Sequence, residues 1–263
     1  MLEVKNLTKI FNKDTENQKV ALDHVFVHIE EGEFVTVIGG NGSGKSTFLN
    51  LISGIHMPDE GAIFLGGINV AKLPEHRRAK YLGRVFQDPM MGTAANMSIL
   101  ENLFIAKKKG EKKTLHWGFN RDDTALFKEK LRALNLGLED RLEQKMGLLS
   151  GGQRQAITLI MATLEKPKVL LLDEHTAALD PKTAKTVLNL TNTMIEQEKL
   201  TTIMITHNMR DAIKYGNRLL MFNNGKIIFD VKGEEKKHLT IEALLAKFET
   251  DESVEISDSM VLS

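Results

Sequence analysis

A glycine-rich loop constrains this chain more than any other feature of its sequence. Residues 39–47 are Gly-Gly-Asn-Gly-Ser-Gly-Lys-Ser-Thr, and they follow a short apolar run at residues 34–38. Glycines let consecutive backbone N–H groups curve around a phosphate, because no Cβ atoms obstruct the approach. A helix that begins directly after the loop adds its N-terminal N–H groups and its dipole. The loop therefore predicts a strand–loop–helix phosphate site, in which Lys45 contacts the β- and γ-phosphates and Ser46 binds Mg²⁺.

Composition excludes several classes of protein. The 263 residues include 35 lysines and arginines and 35 aspartates and glutamates, so no excess charge favours a nucleic-acid partner. The chain has no cysteine, which excludes a disulfide scaffold and thiol chemistry. The N-terminus carries no basic leader with a long apolar run, and no stretch reaches the ~20 apolar residues of a membrane span. We therefore expect a soluble chain that reaches a membrane only through a partner.

Hydrophobic periodicity predicts an α/β fold with one domain in two lobes, over residues 1–250. Short β-branched and aromatic runs make the first third β-rich. Helical patterning follows, which predicts a helical subdomain inserted at about residues 92–164. Strands and helices then alternate over residues 169–222, as in a parallel sheet with crossover helices.

Turn and composition signals describe the end of the chain. Asn223-Asn224-Gly225 lies between two apolar runs and predicts a hairpin that closes the sheet. Residues 240–248 have the pattern of one short amphipathic helix. The polar residues 251–263 predict a mobile tail.

A second chemical feature is an apolar run at residues 169–172 that ends in two carboxylates, Asp173 and Glu174. In a phosphate-loop sheet such a strand lies near the loop, so Asp173 is suited to hold Mg²⁺. Glu174 is then suited to orient and deprotonate an attacking water. The alternative is a strand that merely ends in solvated acids, and the glycine-rich loop disfavours it.

The segment Leu149-Ser150-Gly151-Gly152-Gln153 is a third feature. Ser150 and Gln153 have the spacing of a capping box, so a plain helix start is one interpretation. Two adjacent glycines are unfavourable in a first helical turn unless the backbone must approach something closely. A phosphate docked on this helix N-terminus would explain both glycines.

Together these motifs resemble those of the ATP-binding-cassette family of ATPases. In that family's order the chain has a Walker A loop (39–47), Gln87, a signature (149–153), a Walker B strand (169–174), a D-loop (178–180) and His207. The resemblance covers about residues 2–229. It implies a P-loop NTPase core with a mostly parallel sheet, an N-terminal antiparallel β-subdomain and an inserted helical subdomain.

The resemblance also implies roles for individual residues, in a head-to-tail homodimer whose signature residues bind the ATP of the other subunit. Catalysis would involve Glu174, His207 and Gln87, and Mg²⁺ would be held by Ser46, Gln87 and Asp173. The implied ATP-binding residues are Phe11, Gly39, Asn41, Gly42, Ser43, Gly44, Lys45, Ser46, Thr47, Ser150, Gly152, Gln153 and Asp180.

For some of these residues, an ordinary structural role is the alternative. A histidine such as His207 is otherwise most often a surface or core residue. Asp180 precedes a proline and fits a helix N-cap. Phe11 could be a core phenylalanine at a strand end rather than an adenine-stacking ring. His175 stands where the family usually has proline, and we predict that it packs the loop and is dispensable for turnover.

Three functional classes compete. The preferred hypothesis is the Mg²⁺-dependent, ATP-hydrolysing subunit of a membrane importer that carries an amino-acid-like solute. Its expected partners are permease subunits and a solute-binding protein, without nucleic acid, and its expected place is the cytoplasmic face of the cell membrane as a peripheral subunit. An exporter ATPase is the near alternative. A chromosome-maintenance ATPase would need sustained heptads between Gly44 and Ser150, and this chain has none there. A translation-type ATPase normally carries two cassettes, whereas this chain has the motifs of one.

Overall fold

Two β-sheets share one hydrophobic core in the computed structural model of the chain, which describes residues 1–109 and 121–249. The strands are β1 (Leu2–Phe11), β2 (Lys19–Ile29), β3 (Phe34–Gly39), β4 (Glu60–Leu65), β5 (Ile68–Asn69), β6 (Leu82–Val85), β7 (Val169–Asp173), β8 (Thr202–Ile205), β9 (Arg218–Asn223) and β10 (Lys226–Lys232). The helices are α1 (Lys45–Ser53), α2 (Glu75–Arg78), α3 (Ile99–Lys107), α4 (Arg121–Arg132), α5 (Gly151–Thr163), α6 (Pro181–Glu198), α7 (Met209–Lys214), α8 (Glu234–Lys237) and α9 (Ile241–Glu249).

The larger sheet has the strand order β10-β9-β3-β8-β7-β6, and it is parallel except for the antiparallel strand β10. All six residues of β3 and the first four of β7 are buried, as expected for central strands covered on both faces. The register pairs Val37 of β3 and Asp173 of β7 with Ile205 of β8. The carboxyl ends of these strands therefore meet at one edge of the sheet, where ligands bind in open α/β folds.

The smaller sheet is antiparallel, with the order β2-β1-β4-β5. The apolar side chains of its strands pack against those of the parallel sheet around α1. This arrangement confirms the predicted fold class, including the N-terminal antiparallel β-subdomain.

A separate hydrophobic cluster lies in the helical segment and combines side chains of α3, α4 and α5. Helix α5 belongs to both parts, because Ile157 and Ile160 face this cluster while Leu159 packs with the sheet residues Val85 and Leu170. The inserted subdomain at residues 92–164 and the single domain at residues 1–250 stay as proposals that agree with this packing. The predicted tail at residues 251–263 lies outside the described residues.

Local chemistry explains where several helices begin. Helix α3 starts at a capping box formed by Ser98 and Glu101, and α5 starts at the predicted capping box of Ser150 and Gln153. Asp180 caps α6, and Pro181 occupies its first turn. The predicted hairpin is confirmed between β9 and β10, where Asn224 and Gly225 both have positive φ.

None of the helices in the described ranges combines the length and the apolar character that crossing a bilayer requires. The amphipathic helix predicted at residues 240–248 is present as α9, shifted by one residue.

Candidate functional site

The glycine-rich loop lies between β3 and α1, as predicted. At two of its positions, glycine cannot be replaced by a residue with a side chain. Gly39 has φ 150°, and a Cβ atom there would lie 2.3 Å from the carbonyl oxygen of Phe222. Gly44 has φ 108°, and its Cβ would lie 2.6 Å from the carbonyl oxygen of Ala21. Both glycines therefore allow the loop to pass close to neighbouring backbone.

Lys45 folds back over this loop. Its ammonium group donates to the carbonyl oxygens of Gly39, at 2.7 Å, and Gly40, at 2.8 Å. Burial lowers the pKa of Lys45, while the negative charges of Glu174 and Asp173 act in the opposite direction. The side chain is thus a buried cation aimed along the phosphate loop.

The loop borders a cavity of about 320 Å³. The predicted residues that line it are Phe11, Asn41, Gly42, Ser43, Gly44, Lys45, Ser46, Thr47, Glu174 and His207. Within the described part of the chain, the buried hydroxyl of Ser43 has no hydrogen-bond partner. An orphaned hydroxyl and a buried ammonium in a glycine-rich cradle fit a bound phosphate.

Glu174 and His207 meet at the edge of this cavity. The Glu174 Oε1 atom lies 2.5 Å from His207 Nε2, and the side chains are 12% and 31% exposed. Glu174 has φ 47°, an unusual conformation for a non-glycine residue, and its N–H donates to the Ile205 carbonyl at 3.1 Å. Such strain costs about 1–3 kcal/mol and is typical of functional positions.

Asp173 lies at the end of β7 with an arginine as its partner. Its Oδ2 atom accepts a hydrogen bond from Nη2 of Arg84 at 2.9 Å. Among the residues that the structure describes, no three histidine or acidic side chains gather into a metal site. Mg²⁺ commonly takes only one or two carboxylates together with substrate phosphates and water, so the set of Asp173 and Ser46 beside a phosphate cradle fits this ion.

Other predicted residues lie away from the cavity. Gln87 follows β6 and is exposed, and Asp180 caps α6 through a hydrogen bond from the Thr183 N–H at 3.0 Å. Hydrogen bonds from Thr183 lower the pKa of Asp180. The structure therefore supports the capping role of Asp180, and its contact with ATP stays a prediction.

The signature residues also lie outside the cavity of their own chain. The Ser150 hydroxyl accepts from the Gln153 N–H at 3.3 Å, and the Gln153 side chain accepts from the Ser150 N–H at 3.2 Å. A Cβ atom on Gly152 would lie 2.2 Å from the Thr183 methyl group. Close packing of α5 on α6 thus gives Gly152 a structural reason that the sequence interpretation did not consider.

Phe11 and Lys19 lie on the side of the cavity formed by the small sheet. Phe11 is half-buried and packs edge-to-face on His56, with ring centroids 5.3 Å apart. It faces the cavity rather than the core, which agrees with the adenine-stacking prediction. Lys19 was missed by sequence analysis: a Cβ atom on Gly42 would lie 3.4 Å from its ammonium group. No motif signals this lysine, because it meets the loop only through the tertiary fold.

Residues 22–177 match the family model described as ABC transporter. The chain belongs to this family. It is 45% identical to the tyrosine transport ATP-binding protein of Clostridioides difficile (strain R20291), over 95% of this chain and 99% of that protein.

More distant ABC proteins match over similar lengths. The chain is 32% identical to the phosphonates import ATP-binding protein PhnC 2 of Halalkalibacterium halodurans, over 93% of this chain and 99% of that protein. The dimeric post-hydrolysis structure of the ATP-binding cassette MJ0796, bound to ADP and Pi, superposes with a TM-score of 0.74 at 30% identity. It covers 88% of this chain and 98% of that one.

Membership of the ABC family establishes the coarse function. The chain is an ATP-binding and ATP-hydrolysing subunit that energises a membrane transporter, with ATP and Mg²⁺ as its ligands.

His175 follows Glu174 directly, at a position where the family usually has proline, and it is only 2% exposed. Its Nε2 atom lies 3.1 Å from the Thr191 hydroxyl, which itself donates to the Val187 carbonyl at 2.8 Å. The ring nitrogen must therefore be the donor, so the neutral Nε2–H form fits the site. His175 thus packs against α6, which the sequence did not predict, and burial lowers its pKa to about 4.

We expect His175 to make the stability of the fold depend on pH. Because an unfolded histidine titrates near pH 6.5, the unfolded chain takes up the proton first as the pH falls. The native state should therefore lose about 3 kcal/mol between pH 7 and pH 4 from this residue alone. Urea unfolding across this pH range measures the loss, and His175→Gln should remove it. An unchanged pH slope in that variant would contradict the prediction.

Proposed function

We propose that this ABC subunit energises the uptake of an amino-acid-like solute, bound at the cytoplasmic face of the cell membrane to permease subunits. The observation that carries the solute class is the 45% identity, over nearly the whole length of both chains, with a protein named for tyrosine transport. The import direction is supported by the relative named for phosphonate import. A solute-binding protein would deliver the solute to the permease.

The active unit in this proposal is a head-to-tail homodimer. Ser150, Gly152 and Gln153 do not line the cavity beside the phosphate loop of their own chain. A second copy would bring them to that cavity and close it over the γ-phosphate. The dimeric cassette bound to ADP and Pi supports this arrangement.

Each residue of the site has a chemical task in ATP hydrolysis. The N–H groups of residues 39–47 and the Lys45 ammonium would bind the β- and γ-phosphates, and Phe11 would stack on adenine. Ser46, Asp173 and Gln87 would hold Mg²⁺, which neutralises phosphate charge when bound.

Proton transfer would fall to Glu174. Its carboxylate would accept the proton of the attacking water, and His207 would fix the carboxylate and contact the γ-phosphate. Asp180 would act across the dimer interface and would also cap α6. The 2.5 Å contact between Glu174 and His207 would hold the proposed base in one orientation.

A groove between the parallel sheet and the helical segment is the proposed docking site of the permease. This docking groove is a cavity of about 930 Å³ whose apolar walls include Leu73, Phe86, Met91, Ile105 and Met161. Met91 is 71% exposed and Ile105 is 53% exposed. Arg77 and Lys80 add positive charge at its border. These features suit a short helix with an apolar face and acidic flanking residues.

Co-purification tests this proposal. We expect Glu174→Gln, which traps ATP, to retain a multi-span permease from detergent-solubilised native membranes in the presence of ATP. Adding Met91→Glu and Ile105→Glu should remove the permease, because carboxylates would be buried against an apolar helix face. ATP binding by the triple variant should be unchanged.

The matched control is Phe26→Glu in the Glu174→Gln background. Phe26 is 63% exposed and lies outside the docking groove, so this variant should keep the permease. Retention of the permease by the groove variant would reject the docking site. In the reconstituted complex, stimulation of ATPase activity by phosphonates but not by amino acids would reject the proposed solute class.

A further inference from the structure

Arg84 lies between the docking groove and the proposed magnesium carboxylate. It stands on β6, whose neighbour in the sheet is β7, the strand that carries Asp173. One guanidinium nitrogen, Nη2, donates to Asp173 Oδ2 at 2.9 Å and to Asn50 Oδ1 at 2.9 Å. The other, Nη1, donates to the Ser53 hydroxyl at 3.0 Å. Since Asn50 and Ser53 belong to α1, Arg84 connects the Walker B carboxylate to the helix that follows the phosphate loop.

The same guanidinium group also reaches the docking groove. It lies 4.7 Å from the centre of the Phe86 ring, and Arg84, Phe86 and Ser53 all line the groove. A partner helix bound in the groove would therefore contact Phe86 and Arg84, and Arg84 in turn contacts Asp173. These contacts connect the groove, through Phe86 and Arg84, to the carboxylate of Asp173.

An arginine at this position is costly if it serves stability alone. Its side chain is 11% exposed and that of Asp173 is 18% exposed, so both charges are largely removed from water. Its Nε atom is buried and, within the described ranges, has no hydrogen-bond partner. The other three residues of β6 are buried, although β6 is the edge strand of the sheet. Stability alone accounts poorly for a charge at this position, which favours a functional role.

We infer that Arg84 is a positioning residue that holds the Asp173 carboxylate for Mg²⁺ and links it, through Phe86, to the docking groove. The planar fork of arginine contacts Asp173, Asn50 and Ser53 from two nitrogens, whereas a lysine would have to reach all three from one. The inference rests on the proposed roles of Asp173 and of the docking groove. The proposed link from the groove to Asp173 passes through Phe86 and Arg84 and does not include the exposed Gln87.

The test compares Arg84→Met with Arg84→Lys in the full chain. The primary readout is the Mg²⁺ concentration that half-saturates the fluorescence change of a bound ATP analogue. We expect Arg84→Met to raise this concentration by about tenfold, because residues that orient a metal ligand affect metal affinity to this extent. Binding of the analogue in EDTA should be unchanged. Arg84→Lys should restore the Mg²⁺ requirement only in part.

Two further variants separate the possible failures. Arg132→Met removes an exposed cation of α4 that lies outside the docking groove, and it should leave the Mg²⁺ requirement unchanged. Asp173→Asn should raise the requirement, and if it does not, the proposed role of Asp173 is wrong. If Asp173→Asn raises it while a folded Arg84→Met does not, the inference about Arg84 is overturned. Should Arg84→Met not fold, an unchanged Mg²⁺ requirement in Arg84→Lys overturns the inference instead.

The link to the groove has its own readout in the permease complex. We expect Arg84→Met to lose most of the stimulation of ATPase activity by the permease, measured at saturating Mg²⁺, while the permease still co-purifies. Full stimulation in this variant would overturn the proposed link.

Discussion

Glu174→Gln is expected to stop ATP turnover while leaving ATP bound. Removing a general base typically lowers a rate by about 10²–10⁴-fold, and an amide cannot accept the proton of the attacking water. Glutamine has the same shape as glutamate, so the backbone hydrogen bond to Ile205 and the contact with His207 can persist. The loss should therefore lie in the chemical step rather than in the fold or in ATP affinity.

Single-turnover phosphate release and nucleotide occupancy at saturating ATP measure these two properties separately. A matched control is Glu16→Gln, which makes the same chemical change at an exposed loop residue that does not line the cavity and should turn over ATP normally. If Glu174→Gln retained turnover within about tenfold of the wild type, about 1.4 kcal/mol of barrier, Glu174 could not be the base. Loss of ATP binding together with turnover would instead indicate a role in folding or binding.

The elements predicted from sequence are those specified by local chemistry. The phosphate loop requires positive φ at Gly39 and Gly44, and Asn224 with Gly225 specifies a tight hairpin. Ser150 and Asp180 carry the side chains that cap α5 and α6. Each of these signals lies within a few residues of the structure it specifies, so it can be recognised without knowledge of the fold.

Strand β6 was not predicted, because the parallel sheet rather than its own sequence specifies it. Its four residues are Leu82, Gly83, Arg84 and Val85, and neither glycine nor arginine favours a buried strand. Gly83 fits because a Cβ atom there would lie 2.4 Å from the Ala162 carbonyl oxygen of α5. The contacts that make this a strand come from residues 87 positions later in the chain, on β7.

The same distinction applies to the candidate site. Motif order predicted Lys45, Glu174 and His207, and the structure brings all three to one cavity. Lys19 and Arg84 belong to no motif, since they reach the site only when β2 and β6 take their places in the fold. Charged residues that act through tertiary contacts carry no local signal in a single sequence.

Arg78→Met is expected to cause the largest loss of stability of any change considered for this chain. Arg78 is fully buried, and its guanidinium donates to four backbone carbonyls without an acidic partner among the described residues. The acceptors are Leu51, at 2.5 Å, Ile52, at 3.1 Å, Ala71, at 2.9 Å, and Leu73, at 2.7 Å. Burial lowers its pKa to about 10, which still leaves the group charged at neutral pH. The residue thus ties the end of α1 to the segment before α2.

Methionine would fill much of the volume but would leave four carbonyls without their donors. Unsatisfied buried polar groups cost about 1–3 kcal/mol each, and partial relaxation should keep the total at about 3–5 kcal/mol. Urea unfolding measures this loss, and Arg77→Met, at the exposed neighbour on the same helix, should change the free energy of unfolding by less than about 0.5 kcal/mol. Because Arg78 contacts none of the candidate site residues, turnover per folded molecule should be preserved at low temperature. A loss below about 1 kcal/mol would mean that water replaces the guanidinium, and that the carbonyls rather than the charge determine how this corner of the core packs.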